Sequence, residues 1–116
     1  MIFEILQWNV KHFARNKSSI SEICVNIKPN VFCIQETWNQ DVNGSNMNIP
    51  SYNLIAHKSR SANRGGVVAI YASNSTPASA ISINSNLEIC AARIYDSNQN
   101  YTIFAYMYLL ILTITS

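Results

Sequence analysis

An amphipathic helix stripe with a short apolar run on each side limits this chain more than any other feature. Ile20, Ile23, Cys24 and Ile27 recur at the spacing of one helix face. Ile2 to Trp8 precede that stripe and Val31 to Gln35 follow it. Both runs are rich in branched residues and predict strands buried on two faces. Ser19-Ile20-Ser21-Glu22 has the form of a capping box, which sets the helix start at Ser19 and makes His12 to Lys17 a polar loop. Pro29 stops the helix. A strand–helix–strand unit of this size places its strands in one sheet, parallel and neighbouring or nearly so. Asn9 and Glu36, at the ends of the two runs, should then emerge at the same sheet edge.

From Tyr52 onward the pattern is strand after strand. Tyr52–His57, Gly66–Ala72, Leu87–Tyr95 and Tyr101–Tyr108 are separated by turns rich in Asn and Ser. Asp96 to Asn100 reads as a hairpin loop between the last two, and Asn39 to Pro50 as a longer loop. One helix-linked strand pair followed by antiparallel strands predicts an α/β sandwich: two sheets with helices on the outer faces. Residues 1–108 form one domain in this reading, and 109–116 an atypical apolar tail. Domains of this build often need roughly 200–250 residues. At 116 residues the chain is expected to be truncated, short by about half.

Apolar residues make up 48% of the chain and charged residues 12%, which excludes a disordered chain. A net charge of +2 is too mild to mark a nucleic-acid binder alone. Cys24, Cys33 and Cys90 lack metal-ligand spacing, and their odd number favours a reduced, intracellular chain. The start shows no signal peptide. The apolar run from Ile103 to Ile114 falls short of the roughly 20 residues of a membrane span, so no membrane is expected as a partner.

The chemistry gathers at the ends of the apolar runs. Glu36 is a carboxylate at the mouth of a strand, where burial is costly unless a cation or donor balances it. Alone it would read as a cap or loop residue. Asn9 offers a carbonyl acceptor and two N–H donors. An amide and a carboxylate together suit a hard divalent cation such as Mg²⁺, held partly by waters and phosphate oxygens. Arg64-Gly65-Gly66 opens the next strand, and Arg64 can fork onto a phosphate. Lys58, Arg60 and Arg64 form a basic concentration within one short loop. Tyr108 ends a strand with a phenol able to bond a phosphoryl oxygen. His12 and His57 read as surface or loop residues.

Leu6-Gln7-Trp8-Asn9, Gln35-Glu36-Thr37-Trp38 and Arg64-Gly65-Gly66-Val67-Val68-Ala69-Ile70-Tyr71 together resemble the first half of the endonuclease/exonuclease/phosphatase superfamily. Trp38, Tyr52 and the Arg64–Tyr71 segment are similar to the branch that opens the polyproteins of LINE-type (non-LTR) retrotransposons. The resemblance runs from Ile5 to about Tyr108, and Leu87 to Cys90 correspond to a strand crossing the core. It implies a partial four-layer, DNase I-like α/β sandwich. It also implies Mg²⁺, with Mn²⁺ as an alternative, on Glu36 and Asn9, and catalysis by Asn9, Glu36 and Tyr108. Arg64, Lys58 and Arg60 would meet the phosphates of DNA. The implied partners are the missing C-terminal half of the domain and a downstream reverse transcriptase, in the nucleus.

The superfamily's later G-D-F-N and S-D-H motifs do not occur in these residues. A general base of the kind they supply contributes typically 10²–10⁴-fold. The expectation is therefore a fragment of a Mg²⁺-dependent DNA endonuclease. The rival readings are a catalytically dead remnant or weak nucleic-acid-binding module, and a cellular phosphatase or nuclease of the same superfamily.

Overall fold

A computed structural model describes residues 3–10, 13–35, 47–59, 67–85, 87–97, 99–106 and 110–115. Among the described residues there are one helix, α1 (Phe13–Ile27), and eight strands. In chain order these are β1 (Ile5–Asn9), β2 (Val31–Gln35), β3 (Tyr52–Ser59), β4 (Val67–Ser73), β5 (Ala78–Ile81), β6 (Ile89–Tyr95), β7 (Asn100–Tyr106) and β8 (Leu110–Thr115). They form two four-stranded sheets, ordered β1-β2-β4-β3 and β5-β6-β7-β8.

The opening unit folds as its pattern dictates. β1 and β2 are parallel neighbours, with Ile5 opposite Val31 and Asn9 opposite Gln35. Leu6 and Trp8 pack on the helix side, where Ile20, Cys24, Phe32, Ile34 and Tyr71 make one buried cluster. Val31 and Cys33 point the other way and join Ile70, Ile94, Ile103 and Ala105 between the sheets. β2 is buried along its whole length, its four apolar residues and Gln35 alike covered by helix and sheet. β4 pairs antiparallel with both β2 and β3, so β3 takes the outer edge.

The helix departs from expectation at its start. It begins at Phe13, so the expected loop over His12–Lys17 is helical from Phe13 onward, and Ser19 and Glu22 lie inside rather than at a cap. The stripe extends backward one turn from Ile20 to half-buried Asn16 and Lys17, and that packing outweighs the local capping signal. Ile20 and Cys24 are buried, while Ile27 is exposed. At the other end Lys28 takes φ 55° and donates its N–H to Cys24 O (3.0 Å), and Pro29 follows. That is a left-handed cap of the kind that usually carries glycine.

The later strands match with small shifts in their ends, and two were not expected. β5 is a short run of mostly small residues between Ser- and Asn-rich stretches, with little strand signal of its own, and it is held by pairing with β6. Within the apolar tail, Leu110–Thr115 pairs with β7 as an edge strand. The loop after β6 is closed by Asp96 N–H donating to Gln99 O (2.9 Å). The layers are therefore helix, sheet, sheet. No helix covers the outer face of the second sheet among the described residues.

Candidate metal and phosphate edge

The parallel register decides which residues can meet. Asn9 and Gln35 are paired across β1 and β2, and Gln35 is the residue before Glu36. Val10 N–H extends the ladder past Asn9 by donating to Gln35 O (2.8 Å). Asn9 sits between half-buried Trp8 and buried Val10, both packed on the helix side. Strand alternation turns Asn9 to the opposite face, and it is exposed. An amide that is solvent-facing on a backbone pinned at both neighbours is well placed to bind a ligand.

Other strand ends gather at the same edge. The register Ile34–Ala69 places the start of β4 beside the end of β2, and Ser59 pairs with Val67 there. The segment carrying Arg60 and Arg64 therefore leaves and re-enters the first sheet at this edge. β7 arrives from the second sheet, where Tyr106 O accepts a hydrogen bond from Gln35 Nε2 (3.0 Å). The edge is thus where the ends of β1, β2, β3 and β7 and the start of β4 converge.

Of the residues expected to act, Asn9 and Lys58 are described. Glu36, Arg60, Arg64 and Tyr108 lie outside the described residues, as does His12. Lys58 is half-buried near the end of β3 and donates from Nζ to Ser85 O (3.2 Å), which uses one of its three N–H donors. It borders a cleft of about 280 Å³ that also meets His57, Ile81 and Cys90. Desolvation holds the exposed His57 imidazole below its ordinary pKa.

In the sequence Gln35 stands out only as the end of the second apolar run and the first residue of Gln35-Glu36-Thr37-Trp38. It is 1% exposed, and its carboxamide bonds both Tyr106 O and Gln7 (3.3 Å). The signal was present in Val31-Phe32-Cys33-Ile34-Gln35, because a polar residue ending a buried strand must find partners.

Among the described residues no three His, Cys, Asp or Glu side chains gather as a metal cluster. The described donor at this edge is instead the exposed Asn9 amide, paired across from the residue that precedes Glu36 in the sequence. That fits a hard cation keeping most of its waters, and it does not fit zinc or another thiophilic metal. The three thiols are buried and free of disulfides. Burial pushes Cys24 up to about 11 and Cys90 up to about 12, and raises Cys33 further.

A larger cleft, about 450 Å³, opens at the opposite end between Lys28, Asn30, Tyr52 and Ser73. Size alone would favour it as a site. Two of its polar side chains are already committed, however: Tyr52 Oη donates to Pro29 O (2.6 Å), and Asn30 bonds Glu4 N and Thr76 Oγ1. It pairs no acid with a base.

Comparison with known proteins gives the family and the fold. The model of the Endonuclease/Exonuclease/phosphatase family matches residues 6–109. The chain belongs to this family. Its fold is similar to that of the AP endonuclease LMAP from Leishmania major, with a TM-score of 0.71 and 16% sequence identity. The similarity covers 88% of this chain and 39% of that one, so the chain spans well under half the length of its structural relative. None of the curated proteins matches it. The family match begins at Leu6 and ends at Leu109, which brackets Asn9, Glu36, Arg64 and Tyr108.

Proposed function

We propose that this chain is the N-terminal part of a divalent-metal-dependent DNA endonuclease of LINE type, which hydrolyses phosphodiester bonds to nick target DNA. The observation that carries the reading is the pairing of Asn9 with Gln35, which sets the Asn9 amide directly across from the residue that precedes Glu36. Family membership supports phosphoester hydrolysis as the reaction class. The likeness to an AP endonuclease supports DNA over lipid phosphate as substrate. The Gln35-Glu36-Thr37-Trp38 and Arg64–Tyr71 segments support the retrotransposon branch.

In this reading Asn9 and Glu36 hold Mg²⁺, or Mn²⁺, by their oxygen atoms. When bound, such an ion polarises a phosphoryl oxygen and lowers the pKa of its water. Asn9 orients a water or phosphate oxygen by its amide without adding charge. Arg64 and Arg60 neutralise phosphate charge, with Lys58 contributing the N–H donors left after its bond to Ser85. The Tyr108 phenol donates to a phosphoryl oxygen. The proposed setting is nuclear, within a polyprotein that also carries a reverse transcriptase.

The rival reading is a remnant that binds nucleic acid but does not cut. Joining the chain to the second half of a related domain separates the two. Mg²⁺-dependent plasmid nicking by the joined protein, reduced on the order of 10²–10³-fold by Glu36→Gln, is expected. Nicking at an unchanged rate in that variant would make Glu36 a structural residue.

A further inference from the structure

Gln35 ends a strand whose other four residues are apolar, yet its carboxamide is buried and hydrogen-bonded through both its nitrogen and its oxygen. A backbone carbonyl only accepts, so Nε2 must face Tyr106 O at 3.0 Å, and Oε1 is left to accept from Gln7 Nε2 at 3.3 Å. Gln35 O also accepts from Val10 N–H at 2.8 Å. One residue therefore fastens the ends of β1, β2 and β7, and the Tyr106 bond crosses from one sheet to the other. A carboxylate at this position would face a carbonyl with no proton to give. An aliphatic side chain would leave Tyr106 O without its donor.

We propose that Gln35 is a positioning residue for the metal edge. Its carboxamide locks three strand ends together, so that Asn9, the chain entering Glu36, and the chain running from Tyr106 toward Tyr108 leave one rigid point. This inference rests on the reading of Asn9 and Glu36 as metal-binding residues. A glutamine serving stability alone would also be buried and bonded, so the test has to read the metal rather than the fold.

Mn²⁺ affinity of the chain, titrated by water-proton relaxation, gives that readout. Gln35→Met keeps the volume and removes both side-chain hydrogen bonds. It should weaken Mn²⁺ about tenfold, at the low end of what supporting residues around metal ligands contribute. Gln7→Met removes only the outer bond from an exposed position and should weaken Mn²⁺ by a smaller factor. Ile94→Val trims the core between the sheets away from the edge, and should lower Tm while leaving Mn²⁺ affinity unchanged. Wild-type affinity in folded Gln35→Met, or an equal loss in Ile94→Val, would overturn the inference. If Gln35→Met does not fold, Gln7→Met decides: weakened binding supports it and wild-type affinity overturns it. Glu36→Gln separates the two proposals. Unchanged Mn²⁺ binding there would sink the metal reading and the positioning role with it. Binding lost in Glu36→Gln but untouched by the glutamine variants would sink the positioning role alone.

Discussion

Lys28 and Ser51 are non-glycine residues at positive φ, 55° and 71°, and each sits where a turn requires it. Lys28 caps α1. Ser51 follows Pro50 in a turn closed by Tyr52 N–H donating to Ile49 O (3.1 Å), the position where a type II turn favours glycine. Lys28→Gly and Ser51→Gly should each raise stability by about 0.5–1 kcal/mol, read as a higher midpoint in urea. A lowered midpoint would mean that the side chains contribute more than the backbone strain costs. Tyr71 makes the opposite case, since its buried Oη donates to Met47 O at 2.7 Å. Tyr71→Phe should destabilise by about 1–3 kcal/mol by leaving that carbonyl unpaired. For His57 the sign follows from desolvation. With its folded pKa below the ordinary 6.5, the unfolded chain binds the extra proton first. Its contribution is therefore present above pH 6.5 and lost as pH falls below that value. His57→Gln should flatten the fall of Tm between neutral and mildly acidic pH, and an unchanged slope would assign the fall to other groups. The place of Asn9 at a strand end was legible because it closes an apolar run. The role of Gln35 was not, because its partner Tyr106 is distant in the chain and belongs to the other sheet.

At the scale of elements, the strand–helix–strand unit was readable because its strands are uniformly apolar and its helix stripe is regular. The helix start was not, since Ser19-Ile20-Ser21-Glu22 is a local signal and the packing of α1 on β1 and β2 is not local. β5 escaped for a related reason: Ala78–Ile81 has little strand character of its own and is completed by its ladder to β6. β8 was read as a tail because nothing in Leu109–Ser116 says which strand it would join. It is an uncharged edge strand with Ile111, Leu112 and Ile114 exposed, the kind of edge that pairs with other chains. Leu112→Lys with Ile114→Lys should shift the chain toward monomer in light scattering with little change in Tm. Equal association in the double variant would move the contact elsewhere.

For the whole molecule, the two sheets hold opposite ends of different character. One end closes on the committed hydrogen bonds of Asn30 and Tyr52, and the other gathers the strand ends that carry an exposed amide, a lysine and the approach to Glu36. The two-sheet α/β sandwich was legible from strand count and pattern, and the family from motifs that happen to fall at those ends. The convergence of β7 on β2 was not, because sheet-to-sheet contact leaves no spacing in the sequence. Membership in the Endonuclease/Exonuclease/phosphatase family makes a divalent ion at this edge the central claim. Paramagnetic broadening of backbone amide signals by Mn²⁺ tests it most directly. Broadening centred on Asn9, Val10 and Gln35, sparing Lys28, Asn30 and Ser73 at the far end and abolished by Glu36→Gln, is the predicted result. Broadening centred on the far end, or the same pattern with Glu36 replaced, would contradict it.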